Sequence, residues 1–538
     1  MAKKNKRKDP KSKPGSKVKR SMGQLISGHN AMADILFNAR HAMKQREFGK
    51  SIALYEKALN SAANVKVSMV CEALAPLTES QSLAEAVKFL SQWIDKLPPS
   101  AQLHAVRGQV YLGLRRVEDA KTDYQRAISI QADDPYTHAQ VANVLERLHQ
   151  LDEALDSIDR ARSLDPGNFI YAAPQSIILG RLKRYDEAKK ILIEATQAAM
   201  PPVNKFLAWI HLAGVYDKTG DYDQAFSAYE QAREALGSEA DKHWELARLQ
   251  GAQFDQALAR LTKDRVHRWH DSFTQRPLVN DLPQPMCFFV GHPRSGTTLV
   301  EQIMAAHSKV LTLDETTALS ALSDSISRQR DYAPLSDTLD SMKPHDCEKA
   351  AYFYMQEAAK QTDQPFAKMS ILDKHPSNLT ALPTVMRIFP TSRVLMALRD
   401  PRDVLVSCML QAFEPTAVSV QFRNVETAMQ HGAKTWGAWL QMREVIAQPW
   451  HEIRYENLVD SFEDEARKLV DFMGLPWEDG LLDFHKKAAK RYVSTPSYAG
   501  VGTPVNKKSV ARWRNYEPFL KPHLHIIEPV LEQLGYTA

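Results

Sequence analysis

Cys287-Phe-Phe-Val-Gly-His-Pro-Arg-Ser-Gly-Thr-Thr298 is the stretch on which the reading of this chain turns. An apolar run, Cys287 to Val290, passes straight into a loop bounded by Gly291 and Gly296, and Leu299 to Ala306 then has helical character. A strand, a tight turn and a helix in that order leave the first N–H groups of the helix unpaired and aimed into the loop. Arg294, Ser295, Thr297 and Thr298 add a guanidinium and hydroxyls to those amides. The segment is a cradle for a phosphate-like anion.

The spacing from Gly291 to Gly296 nearly reproduces the loop that binds nucleoside triphosphates, but Thr297 stands where that motif demands lysine. Without the lysine that reaches the β and γ phosphates, and with Arg294 in the loop instead, γ-phosphoryl transfer from a magnesium-bound nucleotide is poorly served. A P-loop kinase is therefore disfavoured and a different donor is expected.

Gly291-His-Pro-Arg-Ser-Gly-Thr-Thr298 resembles the 5′-phosphosulfate loop of sulfotransferases, above all the tyrosylprotein sulfotransferases and their bacterial relatives with N-terminal tetratricopeptide repeats. The resemblance implies 3′-phosphoadenosine 5′-phosphosulfate as co-substrate, held in part by Arg294, Ser295, Gly296, Thr297 and Thr298. A second segment, Arg393-Val-Leu-Met-Ala-Leu-Arg-Asp-Pro-Arg-Asp-Val-Leu-Val-Ser407, again runs from strand-like to polar residues, and Pro401 suits the first turn of a helix. Its Arg399 and Ser407 resemble the family pair that holds the donor's 3′-phosphate, an arginine fork and a hydroxyl around a dianion. The charges of Arg399-Asp-Pro-Arg-Asp403 could equally pair among themselves. Tyr455, Ser497 and Arg512 fall where the family also contacts the donor, whereas Gln411 replaces one of its donor-binding arginines. The glycines and proline from Ser497 to Asn506 read as a loop able to fold over the nucleotide.

Sulfuryl transfer, like phosphoryl transfer, is an in-line displacement that needs positioning, charge stabilisation and a base for the acceptor hydroxyl. Glu315 lies twenty-one residues after Arg294, the spacing at which the tyrosylprotein enzymes place their catalytic glutamate, so the resemblance makes it the general base. Asp314 and Glu315 also precede the helical run Ala318 to Arg328, where acidic residues favour a helix start. Lys374, in Asp373-Lys-His-Pro376, matches the family lysine that stabilises the bridging oxygen, a role Arg294 would share. His375 is the rival base, since cytosolic sulfotransferases use a histidine. No metal is demanded: there is no HExxH and no paired-cysteine spacing.

Before residue 260 the sequence changes character. Ala86, Ala120, Ala154 and Ala188 stand thirty-four residues apart, as do Leu90, Tyr124, Ile158 and Leu192, and Trp93, Ala127, Ala161 and Ala195. A further copy resumes at Ala225, Tyr229 and Ala232, and an earlier one surrounds Phe48, Tyr55 and Ala58. This is the tetratricopeptide signature, and Trp244 to Leu261 suits a terminal helix. The expected fold is two-part: an all-α tetratricopeptide solenoid, then an α/β P-loop-like sulfotransferase domain with a parallel sheet. The boundaries are a basic tail at 1–21, the solenoid at 22–262, a proline-bearing linker at 263–285 and the sulfotransferase domain at 286–538. Strands are expected near Met286 to Val290, Val310 to Leu313, Ile371, Val394 to Leu398 and Ile453 to Tyr455.

The net charge of +5 is misleading, because residues 2–20 hold ten Lys or Arg and one Asp; removing that local +9 leaves −4. The tail reads as solvated and disordered, without the interleaved aromatic residues of a nucleic-acid arm. Nucleic acid and membrane are not expected partners. Four scattered cysteines suit a reducing compartment, and no apolar run of membrane-spanning length or signal-peptide form is present, so a cytoplasmic, bacterial protein is expected. The acceptor is a hydroxyl on a peptidyl tyrosine, carbohydrate, lipid or small phenol, and the repeats offer a surface for recruiting a protein or peptide. A tetratricopeptide scaffold with a catalytically silent second domain is the alternative reading. Oligomeric state is left open.

Overall fold

The computed structural model describes residues 32–45, 47–62, 64–80, 82–114, 116–274, 286–328, 334–360, 362, 366, 368–488 and 498–536. The basic tail and Ser497 lie outside the described residues.

The chain divides into two compact units at Gly113 and Leu114. Among its described residues, the first holds a helix at 32–44 and the repeat helices Phe48–Ser61, Val67–Glu79, Leu83–Lys96 and Ala101–Gly113. The second opens with the helices Val117–Ile130, Pro135–Arg147, Leu151–Leu164, Ala172–Arg181, Tyr185–Gln197, Pro202–Thr219 and Tyr222–Leu236. Ala86, Ala120, Ala154 and Ala188 are fully buried, as are Leu90, Ile158 and Leu192. Small side chains let helices approach, and each large apolar residue so buried contributes roughly 1.5–3 kcal/mol of transfer free energy.

The helix Ser238–Ala259 follows, and the stretch expected as a linker carries a helix, Lys263–Thr274, before it passes out of the described residues. Trp269 Nε1 donates to Asp340 Oδ1 at 2.6 Å and Arg260 pairs with Asp337 at 2.6 Å, tying this helix region to the segment Leu335–Ser341. Phe206, Tyr229 and Trp269 belong to the same apolar cluster as Phe288 and Trp436. The expected boundary at 262–263 thus falls inside one unit, because the last repeat helices share a core with the sheet.

Five strands form a parallel sheet: β1 Met286–Gly291, β2 Val310–Asp314, β3 Ser370–Lys374, β4 Arg393–Leu398 and β5 Trp450–Arg454, in the order β2-β3-β1-β4-β5. Strand alternation divides β1 between two cores. Phe288 and Val290 join a cluster with Tyr354 and Trp436, while Cys287 and Phe289 join one with Ile303 and Leu469. Burial on both faces is the reason the strand reads as an unbroken apolar run. Tyr455, expected at the end of β5, instead starts the helix Tyr455–Asp460.

From β1 the chain moves out to β2 and returns to β3 on one side, then crosses to β4 and β5 on the other. The reversal lies beside β1, and ligands of open parallel sheets bind outside the carboxyl ends of strands at such a point. Among the described residues, no helix is long and apolar enough to cross a membrane.

Candidate functional site

β1 and β4 lie side by side with Gly291 opposite Ala397, so the loops bearing Arg294 and Arg399 leave the sheet together. Gly291 is required for this closeness: a Cβ there would meet the Ala397 carbonyl oxygen at 3.2 Å and Ser295 Oγ at 3.0 Å. The loop ends at Gly296 with φ 97°, and the helix Thr297–Met304 follows, its N-cap a glycine with no side chain to cap it. A helix start of this kind favours an anion. Ser295 does not add to them, because its hydroxyl donates to the His292 carbonyl at 2.7 Å.

Arg294 adopts φ 71°, a conformation that non-glycine residues rarely hold without functional reason. Its Nε donates to Ser407 Oγ at 3.0 Å, and its carbonyl accepts from Arg399 Nη1 at 3.1 Å. Arg399 also donates to the Ser509 carbonyl at 2.5 Å and lies over the Tyr455 ring, 4.8 Å from its centroid. Burial lowers the pKa of Arg294 from its ordinary value, and repulsion from Arg399 and Arg512 pushes the same way. Concentrated positive charge of this kind is relieved by an anion.

The sequence Arg399-Asp-Pro-Arg-Asp403 does pair internally, but only in part. Arg402 grips Asp400 at 2.8 and 3.0 Å, whereas Arg399 is 3.7 Å from Asp403 and keeps its other contacts to the loops. Asp403 instead accepts the N–H groups of Ala511 and Trp513, each at 2.8 Å. It thereby fastens the turn that carries Arg512, a role that a sequence reading based on charge pairing did not reveal. Arg512 itself pairs with Asp217 at 2.6 Å. The described part of the 497–506 stretch includes a short helical turn, Tyr498–Val501.

Across from the Arg294 loop, Glu315 follows β2 with φ 54°, its N–H donating to the Lys374 carbonyl at 2.7 Å. Its carboxylate accepts from Lys374 Nζ at 2.9 Å and is 40 % exposed. Lys374, at the end of β3, is completely buried behind it, with Asp314 Oδ1 hydrogen-bonded and Glu301 Oε2 at 3.3 Å. Burial opposes the ammonium, yet Glu301, Asp314 and Glu315 outweigh it and raise the pKa of Lys374 above its ordinary value. Nothing in the sequence places Glu301 or Asp314 beside Lys374; Asp314 reads there as a helix-start acid.

His375 donates its N–H to the Phe289 carbonyl at 3.1 Å, and its Nδ1 accepts the Ser377 N–H at 3.2 Å. Burial holds its pKa below the ordinary value. The neutral ring so defined carries its hydrogen on Nε2.

A cavity of about 380 Å³ joins these parts, with Arg294, Gly296, Thr297 and Thr298 on one wall and Glu315 and His375 on another. Phe413, Val418 and Phe422 provide apolar surface. The repeat helix Tyr222–Leu236 braces that wall: Tyr229 donates its hydroxyl to the Phe422 carbonyl at 2.8 Å, and Arg233 donates to the Met409 carbonyl at 3.0 Å. Arg294, Thr297, Thr298, Glu315, Arg399, Ser407 and Tyr455 are therefore gathered around the carboxyl ends of the central strands. Lys374 stands one layer behind them.

Parts of the chain are similar to known proteins. Residues 285–479 match the family model described as "Sulfotransferase family", and residues 101–134 and 207–234 match that of the tetratricopeptide repeat. An uncharacterized protein of Aquifex aeolicus is 27% identical over 418 residues, which are 73% of this chain and 50% of that protein. The chain thus spans only half the length of this relative. Protein-tyrosine sulfotransferase 1 of Danio rerio is 26% identical over 277 residues, 48% of this chain and 74% of the fish protein. Among solved structures, the sulfotransferase domain of the Synechococcus PCC 7002 olefin synthase aligns with 48% of this chain and 96% of its own, at 19% identity and a TM-score of 0.35.

Proposed function

We propose that this chain is a sulfotransferase that moves a sulfuryl group from 3′-phosphoadenosine 5′-phosphosulfate to a hydroxyl acceptor. The observation that carries the reading is the joining of Arg294, Ser407 and Arg399 at the ends of two adjacent strands, with Glu315 across the same cavity. The residues fit the donor: the start of the helix Thr297–Met304 and the clustered guanidinia suit an anhydride at one end and a phosphate at the other. Gly296, Thr297 and Thr298 would cradle the 5′ end, and Arg399 with Ser407 the 3′-phosphate. Tyr455, Arg512 and Ser497 complete the proposed contacts, Ser497 on sequence grounds alone.

The bound donor supplies an activated sulfuryl group. Glu315 accepts the proton of the acceptor hydroxyl as its oxygen bonds to sulfur; the bond from sulfur to the bridging oxygen breaks, and its electron pair leaves with adenosine 3′,5′-bisphosphate. Arg294 stabilises charge on that leaving side. Lys374 acts on Glu315, holding the carboxylate toward the cavity. His375 is assigned no base role, because its Nδ1 lone pair is occupied by Ser377 N–H and its Nε2 bears the hydrogen. It can donate to an oxygen instead.

The apolar wall of Phe413, Val418 and Phe422 beside Glu315 suits a phenol ring, which supports a tyrosine side chain or small phenol as acceptor. The repeats give a protein acceptor a surface on which to dock. The experiment is incubation of the full chain with sulfur-labelled donor and four acceptor classes: a tyrosine peptide, an oligosaccharide, a lipid alcohol and a small phenol. A gain of about 80 Da on a phenol is expected, lost in Glu315→Gln and Arg399→Ala. Absence of transfer to every class would support the silent-scaffold reading.

A further inference from the structure

The repeat helix Pro202–Thr219 ends against the turn that carries Arg512. Asp217, in its last turn, is 5% exposed at the side chain and takes Arg512 Nη2 at 2.6 Å on one oxygen. Its other oxygen accepts the Tyr516 hydroxyl at 2.8 Å. Tyr516 in turn meets Tyr222, the first residue of the next repeat helix, edge to face at 5.5 Å. Arg512 is therefore clamped from two directions, its flanking amides by Asp403 of the sheet domain and its guanidinium by Asp217 of the repeats.

Arg399 reaches the same stretch of chain, donating to the Ser509 carbonyl at 2.5 Å. Arginines held by both halves of one unit, with Arg512 oriented by a buried carboxylate, make sense around a multiply charged anion.

We infer that this repeat helix forms part of the donor site, with Asp217 as the positioning residue that aims Arg512 at the donor's phosphates. The inference rests on the donor proposed above. Neither Asp217 nor Arg512 lies within the matched stretch 285–479, so the arrangement belongs to the union of repeats and sheet. An arginine already held in its fork geometry loses less freedom when the phosphate arrives.

The test is calorimetry on the full chain with adenosine 3′,5′-bisphosphate and with adenosine 5′-monophosphate. Asp217→Asn is expected to weaken the bisphosphate about tenfold, the effect of one misplaced charge-assisted contact, and the monophosphate by less than about twofold. Asp217→Asn should raise the donor KM about tenfold with kcat at saturating donor nearly unchanged, and Asp217→Glu should recover most of the loss. Wild-type affinity for the bisphosphate in Asp217→Asn overturns the inference and leaves the donor reading standing. A wild-type chain that binds no bisphosphate overturns both. Should Asp217→Asn fail to fold, Arg512→Lys decides the matter, because it keeps the charge but not the fork that Asp217 aims: bisphosphate affinity equal to wild type would overturn the inference.

Discussion

Glu315 and Lys374 hold one another twice: the lysine ammonium lies 2.9 Å from Glu315 Oε1, and the lysine carbonyl accepts the Glu315 N–H at 2.7 Å. The double tie explains how a residue at φ 54° keeps one orientation, since backbone and side chain are both fixed from β3. It also separates their roles. Glu315 meets the cavity, and Lys374 stays behind it.

Glu315→Gln keeps the shape but removes the proton acceptor. Turnover should fall at least about a hundredfold while donor KM changes less than about twofold. Steady-state rates with labelled donor measure both, and normal turnover would show that the base lies elsewhere.

Lys374→Met leaves Glu301 and Asp314 buried without their cation. Removing one partner of a buried ion cluster costs about 3–5 kcal/mol, so urea unfolding should show a loss of that size. A loss under about 1 kcal/mol would mean that water or rearrangement compensates the carboxylates.

Gly296→Ala would place a Cβ 2.8 Å from Tyr455 Cδ2 at a residue with φ 97°. Backbone strain of about 1–3 kcal/mol is expected, together with a clear rise in donor KM as the ring is pushed from the loop. Bisphosphate affinity equal to wild type would count against Tyr455 lying over the donor.

Asp403→Ala removes the acceptor for the Ala511 and Trp513 amides. Leaving two such donors unpaired frees the turn that presents Arg512, so bisphosphate affinity should drop about tenfold or more. Limited trypsin digestion, cutting after Lys507 or Lys508, should accelerate in parallel.

His292 and His431 pack against one another beneath the Arg294 loop, ring centroids 5.4 Å apart, and His292 also stacks on Trp436 at 4.7 Å. Burial pushes His292 down to about 4; burial, with repulsion from His292 and Lys434, pushes His431 down to about 3. Both pKa values are depressed on folding, so the unfolded chain binds more protons below about 6.5. The stability that these neutral rings allow is complete above about pH 6.5 and is lost as pH falls toward their folded values. At pH 5 each should cost about 2 kcal/mol relative to pH 7, read as a lower urea midpoint, and His431→Asn should flatten the slope. An unchanged midpoint at pH 5 would show that these rings are already protonated in the fold.

What the sequence determined by itself was local or repeated. Cys287 to Thr298 is legible because strand, turn and helix follow one another within a dozen residues, and the turn residues obey backbone sterics alone. The thirty-four-residue alanine period is legible because every repeat solves the same helix-packing problem. The meeting of Arg294 and Arg399 could be expected only through the family resemblance; the pairing of β1 with β4 is what brings the two loops together.

Tertiary structure alone decided who partners whom at long range. Nothing near Lys374 in the chain announces Glu301, and nothing near Asp217 announces Tyr516, which is 299 residues away. A buried charge is satisfied by whichever group the fold brings within reach, and sequence distance does not enter Coulomb's law. For the same reason the linker expected from its prolines could not reveal that its first half is a helix docked on Asp340, or that the last repeats share their core with the sheet.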